Sequence, residues 1–313
     1  MRKRPLGKTG IEVSELSLGT WGLSGDGYGP MVEIEVDRVI DRALAVGIDL
    51  FDTADVYGKG AMERRLAERL PSDSTYVVTK IGTDLDIVPP QKRFELDHLR
   101  PAFERSRERL RRDKLDVVLL HNPSMAAMEK SEAFDFLKEL ERLGALRAWG
   151  VSAGNADVAR AAVRQGAGVI ELAYNVFVAG DLHAIAADVS ESGVGVLARS
   201  VLAHGLLAGQ WSAEREFYMG DHRMDRWTPA ELKTRLSQLE ALRPMVTGPV
   251  VSLRAASLRF VLENRLVSSA VLGPRSVAQL EQLVREAGSG PPYLRDTALA
   301  ELSARLRAVG VIV

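Results

Sequence analysis

Four residues that can carry acid–base chemistry occupy corresponding places in successive β-rich runs. Asp52, Lys80 and His121 stand at or near the ends of three such runs, and Tyr57 follows the first of them. The carboxyl ends of parallel strands meet at one mouth when a sheet closes into a barrel, so we expect these side chains to converge. Each alone could be an ion-pair partner, a rim residue or a turn cap. All four together favour a catalytic site.

The four residue types form a set that can protonate a carbonyl oxygen. A tyrosine hydroxyl titrates near ~10 when unperturbed, and a neighbouring lysine cation stabilises its phenolate and lowers that pKa. Asp52 can hold Lys80 in place and keep it charged. His121 can donate a hydrogen bond to a carbonyl oxygen or relay a proton. None of these groups is a hydride donor, so a cofactor must supply the hydride.

Eight β-rich runs alternate with longer runs of helical period, which predicts βαβ units and a parallel sheet. Eight repeats in about 300 residues suit a closed (β/α)8 barrel better than an open doubly wound sheet. No linker-like stretch interrupts them, so we predict one domain over residues 1–313. The predicted strands are 14–20, 49–54, 75–80, 116–121, 147–152, 168–175, 193–200 and 266–273.

Composition excludes several classes of function. The chain has 313 residues, 46% hydrophobic and 27% charged, with a net charge of -1 and no cysteine. Near-neutral charge gives no support to a nucleic-acid or membrane-surface partner. The absence of cysteine excludes disulfides and thiolate metal sites, and no run is long and apolar enough to span a membrane. We predict a cytoplasmic protein with a small-molecule partner and no metal; the oligomeric state stays open.

Seven motifs, in order along almost the whole chain, make the sequence resemble the aldo-keto reductase family. This resemblance implies an α/β fold, a (β/α)8 TIM barrel with an N-terminal β-hairpin, and a nicotinamide cofactor, normally NADP(H). The tail, residues 296–310, is predicted as an extra C-terminal helix. The motifs are RPLGKTGIEVSELSLGTW (4–21), FDTADVYG (51–58), VVTK (77–80), LLHNP (119–123), WGVS (149–152), ARSVLAHGLLAG (198–209) and VLGPRSVAQLEQL (271–283).

The family's four catalytic residues correspond to the four residues already singled out. By resemblance, Tyr57 is the general acid in carbonyl reduction and the base in alcohol oxidation. Lys80 lowers the pKa of Tyr57 and is paired with Asp52, while His121 orients the substrate carbonyl. Trp21, Tyr57 and His121 are the implied substrate contacts.

Around the nicotinamide ring the match to the family pattern is less complete. Ser152 corresponds to the residue that binds the nicotinamide carboxamide, but Ala153 follows it where an Asn is common. Glu171 replaces the usual Gln and can accept a hydrogen bond but not donate one. Arg199 stands where many members stack a Tyr on the ring. The implied ligands at this end of the cofactor are Thr20, Trp21, Asp52, Ser152, Glu171, Arg199, Ser200 and Leu202.

A phosphate site is expected where the last long predicted helix begins, because a helix N-terminus beside an arginine attracts anions. The resemblance places the adenosine 2'-phosphate there, on Gly273, Arg275, Ser276 and Gln279. Gln282 and Leu283 replace the Glu-Asn pair that many members use against the adenine. We therefore predict NADP(H), with NAD(H) as the alternative.

Two other functions stay open at this stage. One is a cofactor-binding regulatory or interaction subunit with little turnover, and the other is a Schiff-base enzyme using Lys80 as nucleophile. The long segment 202–230 is predicted as a lid or a surface excursion. Trp21 and this aromatic segment suggest an apolar or aromatic carbonyl substrate. Tyr28, Phe217, Tyr218 and Trp227 are candidate walls of the substrate pocket.

Overall fold

Eight parallel strands close into a barrel in the computed structural model of the chain, which describes residues 1–130 and 132–311. Each of the eight predicted runs overlaps one of these strands, with bounds that differ by at most a few residues, so the predicted (β/α)8 fold is confirmed. A hairpin of β1 and β2 precedes the barrel, and a second hairpin of β6 and β7 follows β5. The strands are β1 Lys3–Pro5, β2 Glu12–Ser14, β3 Leu16–Gly19, β4 Leu50–Asp52, β5 Tyr76–Ile81, β6 Thr83–Asp84, β7 Gln91–Lys92, β8 Leu115–His121, β9 Leu146–Ser152, β10 Val169–Ala173, β11 Gly195–Arg199 and β12 Val267–Leu272.

Helices cover the outside of the barrel, and the predicted extra helix, α12, is present in the tail. The helices are α1 Glu33–Ala45, α2 Ala61–Arg69, α3 Leu96–Leu110, α4 Met125–Met128, α5 Glu132–Arg142, α6 Ala156–Arg164, α7 Gly180–Ala184, α8 Ala186–Ser192, α9 Pro229–Glu240, α10 Leu253–Glu263, α11 Val277–Ala287 and α12 Asp296–Ala308.

The barrel strands are ordered β10-β11-β12-β3-β4-β5-β8-β9, with β9 pairing back to β10. Each neighbouring pair is parallel, so all eight carboxyl ends lie at one mouth. Strands β12 and β8 stand on opposite sides of this ring, as do β11 and β5. Loops that follow these strands therefore approach the mouth from opposite directions.

Side chains alternate between the barrel interior and the helical layer, as the two-residue period of a strand requires. One apolar cluster gathers Leu50, Val78, Leu119, Val169 and Leu197 from five different strands. Hairpin residues between β1 and β2 belong to the same cluster, so the hairpin packs against the interior side chains. The alternate strand residues belong to a larger cluster shared with the helices.

The segment 202–230 contains a short 3-10 helix, Ala203–Ala208, and no α-helix before α9. Helix α9 begins with a capping box, in which Thr228 accepts from the Glu231 backbone and Glu231 accepts from the Thr228 backbone. This reciprocal cap ends the segment sharply, because it satisfies N–H groups that a helix start otherwise leaves unpaired.

Gly150 provides a test of how closely β9 and β10 pack. A Cβ atom at this position would lie 1.7 Å from the carbonyl oxygen of Val169, a backbone atom that cannot rotate away. Gly150→Ala is therefore expected to lower the free energy of unfolding in urea by about 3 kcal/mol or more, the upper range for overpacking. Gly154→Ala is the matched control, since no atom lies within 4 Å of its Cβ position. Equal stability of the two variants would contradict this packing.

Candidate active site

The candidate site is the topmost inward layer of the barrel. Asp52, Lys80, His121, Glu171 and Arg199 each stand two residues beyond an apolar member of the interior cluster on the same strand. The two-residue period therefore turns all five toward the mouth. The polar layer rests directly on the apolar one, and the structure brings together the predicted set.

Lys80 is the centre of this layer and is 1% exposed. Its Nζ lies 2.5 Å from Asp52 Oδ2 and donates a second hydrogen bond, at 3.0 Å, to the carbonyl oxygen of Thr53. Glu171 Oε2 lies 3.4 Å from the same nitrogen and has no hydrogen-bond partner among the described residues. A buried ammonium group is stable only with such compensation. The predicted pairing of Asp52 with Lys80 is present.

Charge compensation keeps Lys80 protonated. Burial opposes its charge, but Asp52 and Glu171 outweigh burial and raise the pKa of Lys80. Burial and the neighbouring Glu171 raise the pKa of Asp52, with Lys80 opposing both. A cationic Lys80 can act on nearby groups through its charge and not as a nucleophile.

Tyr57 begins a 3-10 turn, Tyr57–Gly60, just after β4. Lys80 Nζ lies 5.6 Å from the centroid of the tyrosine ring, and the ring of His121 lies 6.1 Å away in an edge-on arrangement. Burial raises the pKa of Tyr57, although the Lys80 charge lowers it. The net direction is opposite to the expected lowering, because desolvation of the phenolate outweighs the lysine.

His121 is held neutral. Burial lowers its pKa well below the ordinary value, and the charges of Lys92, Lys80 and Arg199 act in the same direction. Its Nδ1 atom is buried and has no hydrogen-bond partner among the described residues. A neutral imidazole has one donor and one acceptor nitrogen, so it can donate to a carbonyl oxygen in the mouth.

The expected nicotinamide ligands lie around this centre. Ser152 is buried and is paired with His121 in the β8–β9 register and with Glu171 in the β9–β10 register. The Arg199 guanidinium donates a hydrogen bond of 3.0 Å to the carbonyl oxygen of Ala153. Glu171 Oε2 is thus a buried acceptor that a carboxamide NH2 group could satisfy.

The other residues predicted at this end of the cofactor lie on two loops, one after β3 and one after β11. Thr20 donates its hydroxyl hydrogen bond to the Asp52 carbonyl oxygen at 2.9 Å. Trp21 packs on Tyr28, with ring centroids 5.2 Å apart. Ser200 adopts a positive φ of 56°, and half-buried Leu202 precedes the 3-10 helix. They lie close to the ends of β3 and β11, as predicted.

The predicted phosphate ligands are together where α11 begins, and the Arg275 guanidinium and the backbone N–H groups of Arg275 and Gln279 already donate hydrogen bonds there. Ser276 caps the helix by accepting from the Gln279 backbone, and Gln279 accepts from the Arg275 backbone. The Arg275 guanidinium donates to carbonyl oxygens of residues 28–30. Glu35 accepts from the first N–H of α11 at 3.1 Å.

An arginine in the 202–230 segment was not predicted as a site residue. Arg223 is paired with Asp221, and its guanidinium lies 4.8 Å from the ring centroids of both Tyr28 and Phe217. It thereby links this segment to the loop after β3. The aromatic residues of the 202–230 segment were the sequence feature that could have pointed to Arg223. Tyr218, predicted as a wall of the substrate pocket, is 87% exposed and does not pack there.

The mouth carries an excess of positive charge on the side of β11 and β12. Burial lowers the pKa of Arg226, and the Arg199 charge lowers it further. Burial likewise lowers the pKa of Arg275, with the Arg223 charge acting in the same direction. Each guanidinium group disfavours the charged form of its neighbour, and an anion bound between them would stabilise both charges. The residues present therefore fit an anionic dinucleotide.

The chain belongs to the aldo/keto reductase family, whose model matches residues 15–287. Members of this family are oxidoreductases that use nicotinamide cofactors and act on small-molecule carbonyl compounds. The match covers all eight barrel strands and the whole of α11.

Similar proteins include dehydrogenases. "L-galactose dehydrogenase" of Arabidopsis thaliana is 28% identical over 90% of this chain and 86% of its own length. "D-threo-aldose 1-dehydrogenase" of a Pseudomonas species is 30% identical over 87% of this chain and 89% of its own. The solved structure of glycerol dehydrogenase AKR11B4 from Gluconobacter oxydans shares the fold, with a TM-score of 0.84, 24% identity, and coverage of 99% of this chain and 97% of that one.

Residues 1–130 and 132–311 contain neither a candidate membrane span nor a candidate metal-binding group. No helix there is both long and apolar enough to cross a membrane. No group of His, Asp and Glu side chains is arranged to hold a metal ion.

Two histidines beside Trp21 allow a test of burial at the mouth. Burial lowers the pKa of His204 to about 3 and of His222 to about 4. The unfolded chain, with ordinary histidine pKa values near ~6.5, then binds more protons below that pH, so stability falls as the pH decreases.

We expect wild type to lose up to about 2 kcal/mol more unfolding free energy than His204→Gln between pH 7 and pH 5. Urea unfolding at a series of pH values measures this difference. Above pH 7 the histidine is neutral in both states, and the difference between the two proteins should be constant there. If the unfolding free energies of wild type and His204→Gln changed in parallel over the whole pH range, His204 would not be buried in this way.

Proposed function

We propose that this protein is a nicotinamide-dependent oxidoreductase that interconverts aldehydes or ketones and alcohols. The observation that carries the proposal is a buried, charge-compensated Lys80 beside Tyr57 and His121 at the mouth of the barrel. We further propose that residues 1–313 act as one domain, in the cytoplasm. The regulatory alternative lacks an observation that favours it.

In the proposed reduction, Tyr57 donates its hydroxyl proton to the carbonyl oxygen of the substrate. The pKa of Tyr57 is raised by burial, which keeps this proton in place until an oxyanion develops nearby. Lys80, held cationic by Asp52 and Glu171, stabilises the phenolate that remains. In oxidation the same phenolate accepts the alcohol proton.

His121 has a positioning role in this proposal. Its neutral imidazole donates a hydrogen bond to the carbonyl oxygen and fixes the carbonyl near Tyr57. The raised pKa of Lys80 argues against the Schiff-base alternative, because that reaction needs a neutral amine.

A nicotinamide cofactor, when bound, supplies the hydride that goes to the carbonyl carbon. Ser152 and Glu171 would hold its carboxamide, Arg199 would lie at the nicotinamide end, and the guanidinium group of Arg226 would face its phosphates. We propose NADP(H) over NAD(H), supported by Arg275 at the start of α11. Binding a 2'-phosphate there requires Arg275 to exchange its contacts with the carbonyl oxygens of residues 28–30.

Tyr57→Phe tests the proton donor. The variant lacks the hydroxyl but keeps the ring, so kcat/KM for aldehyde reduction should fall at least about a hundredfold, as expected for loss of a general acid. NADPH affinity, measured by quenching of tryptophan fluorescence, should be nearly unchanged. Tyr218→Phe is the control, since this tyrosine is almost fully exposed.

The assay uses a panel of aldehydes, ketones and aldoses, with NADPH and NADH side by side. Aldoses are included because two similar proteins are named as dehydrogenases of such sugars. A Tyr57→Phe variant that kept most of its activity would refute the assignment. Cofactor binding by wild type without oxidation of NADPH on any carbonyl would favour the regulatory alternative.

Arg275→Ala tests the cofactor preference. A charge-assisted contact to a 2'-phosphate is present with NADPH and absent with NADH. The variant should therefore weaken the binding of NADPH about tenfold more than the binding of NADH. Dissociation constants from fluorescence quenching measure both. Arg285→Ala, an exposed arginine in the last turn of the same helix, is the control. Equal losses for the two cofactors would mean that Arg275 acts only by holding residues 28–31.

A further inference from the structure

A cavity of about 340 Å³ lies beside the mouth, between the β6–β7 hairpin and the segment that follows β8. Lys92 of the hairpin lines one part of it and Asn122, the residue after His121, lines another. Apolar wall is contributed by Phe94, Pro123 and Ala126. We call this cavity the distal subsite.

The distal subsite is close to the proposed reacting centre. The charge of Lys92 is the second-largest cause, after burial, of the lowered pKa of His121. Asn122 has a positive φ of 53°, and its N–H donates to the Ser152 carbonyl oxygen at the strand end. The chain therefore turns at Asn122, directly beyond His121. The cavity therefore begins at the residue that follows His121 in the chain.

The distal subsite contains two lysines, of which one is compensated. Lys130 Nζ lies 3.2 Å from Glu95 Oε1. Lys92 Nζ donates to the hydroxyl of Thr83 at 2.7 Å, and no carboxylate of residues 1–130 or 132–311 is within ion-pair distance of it. The cavity therefore has one cation whose charge is not balanced locally.

The environment of Lys92 makes this charge unfavourable without an anion. Lys92 is an exposed residue, yet partial burial of its ammonium group lowers the pKa of Lys92 to about 8. Asp55 opposes this shift without forming an ion pair. A desolvated cation gains from an anionic partner, and a carboxylate can accept its N–H groups.

We propose that the distal subsite binds the carboxylate of an oxo acid, with Lys92 as the anion ligand and the apolar wall against the hydrocarbon that joins carboxylate and carbonyl. This proposal rests on the proposed function and names its substrate class. Carbonyl substrates with an anionic group are then preferred over neutral ones of the same shape.

The test compares matched aldehydes with saturating cofactor. The anionic probes are 4-carboxybenzaldehyde and 4-oxobutanoate, and the neutral ones are methyl 4-formylbenzoate and butanal. Lys92→Met should lower kcat/KM for at least one anionic probe about tenfold, mainly through KM, and change the neutral probes less than about twofold. Lys92→Glu should lower kcat/KM for the anionic probes further. The matched control is Lys114→Met, an exposed lysine before β8 at the other end of the barrel.

Equal effects of Lys92→Met on anionic and neutral probes would overturn the proposal, because they would show that Lys92 acts through His121. If wild type reduces none of the four probes, the proposed function fails on these substrates, and binding still tests the subsite. Calorimetry of 4-(hydroxymethyl)benzoate with the cofactor-loaded protein should then show about tenfold weaker binding to Lys92→Met. Unchanged binding, or no binding to wild type, would refute the subsite.

The pH profile provides a second readout. Lys92 is cationic below its pKa of about 8, so kcat/KM for the anionic probe relative to its neutral partner should decrease above that pH. Other titratable groups facing Lys92 are Asp55 and His121, with Glu95 and Lys130 in the cavity wall. They act on both probes of a pair, and a ratio that does not change with pH would contradict the role of Lys92.

Discussion

The buried charge of Lys80 is the constraint on which the site depends. An ammonium group that is 1% exposed must be compensated, and Asp52 and Glu171 both lie within 3.4 Å of it. Once Lys80 is held cationic, its charge helps to keep His121 neutral and stabilises a phenolate on Tyr57. Removing either carboxylate alters the protonation of the whole layer, so these groups act as one unit.

The barrel supplies this unit because its strands change from apolar to polar at the same level. Leu50, Val78 and Leu119 pack in the interior, and the next inward residue on each strand is charged or titratable. The hairpin adds Leu6 and Val13 to the same apolar cluster, so the interior below the polar layer is filled. Polar side chains therefore meet water, substrate and cofactor from one end only.

Much of this was predictable from the sequence, since strand ends carry the signal. Asp52, Lys80 and His121 stand at or near the ends of short β-rich runs, and the motif order identifies the barrel. The pKa direction of Tyr57 was not predictable, because burial outweighs Lys80 and depends on packing from distant segments. Lys92 lies on a two-residue strand without hydrophobic period, so no sequence pattern placed it beside His121.

Local charge also indicates how a chain with a net charge of -1 would bind the two anions proposed above, a dinucleotide and an oxo acid. The charges of the barrel interior nearly balance, since Asp52 and Glu171 oppose Lys80 and Arg199. The cations without a nearby opposite charge stand at the rim of the mouth. The guanidinium groups follow β11 and β12, whereas the distal subsite lies beyond β5 and β8 on the opposite side of the ring. A dinucleotide on one side would therefore leave the Lys92 charge available for the substrate, with the carbonyl between them at Tyr57 and His121. Arginines would hold the cofactor and a lysine the substrate, so the two anions need not compete for one site.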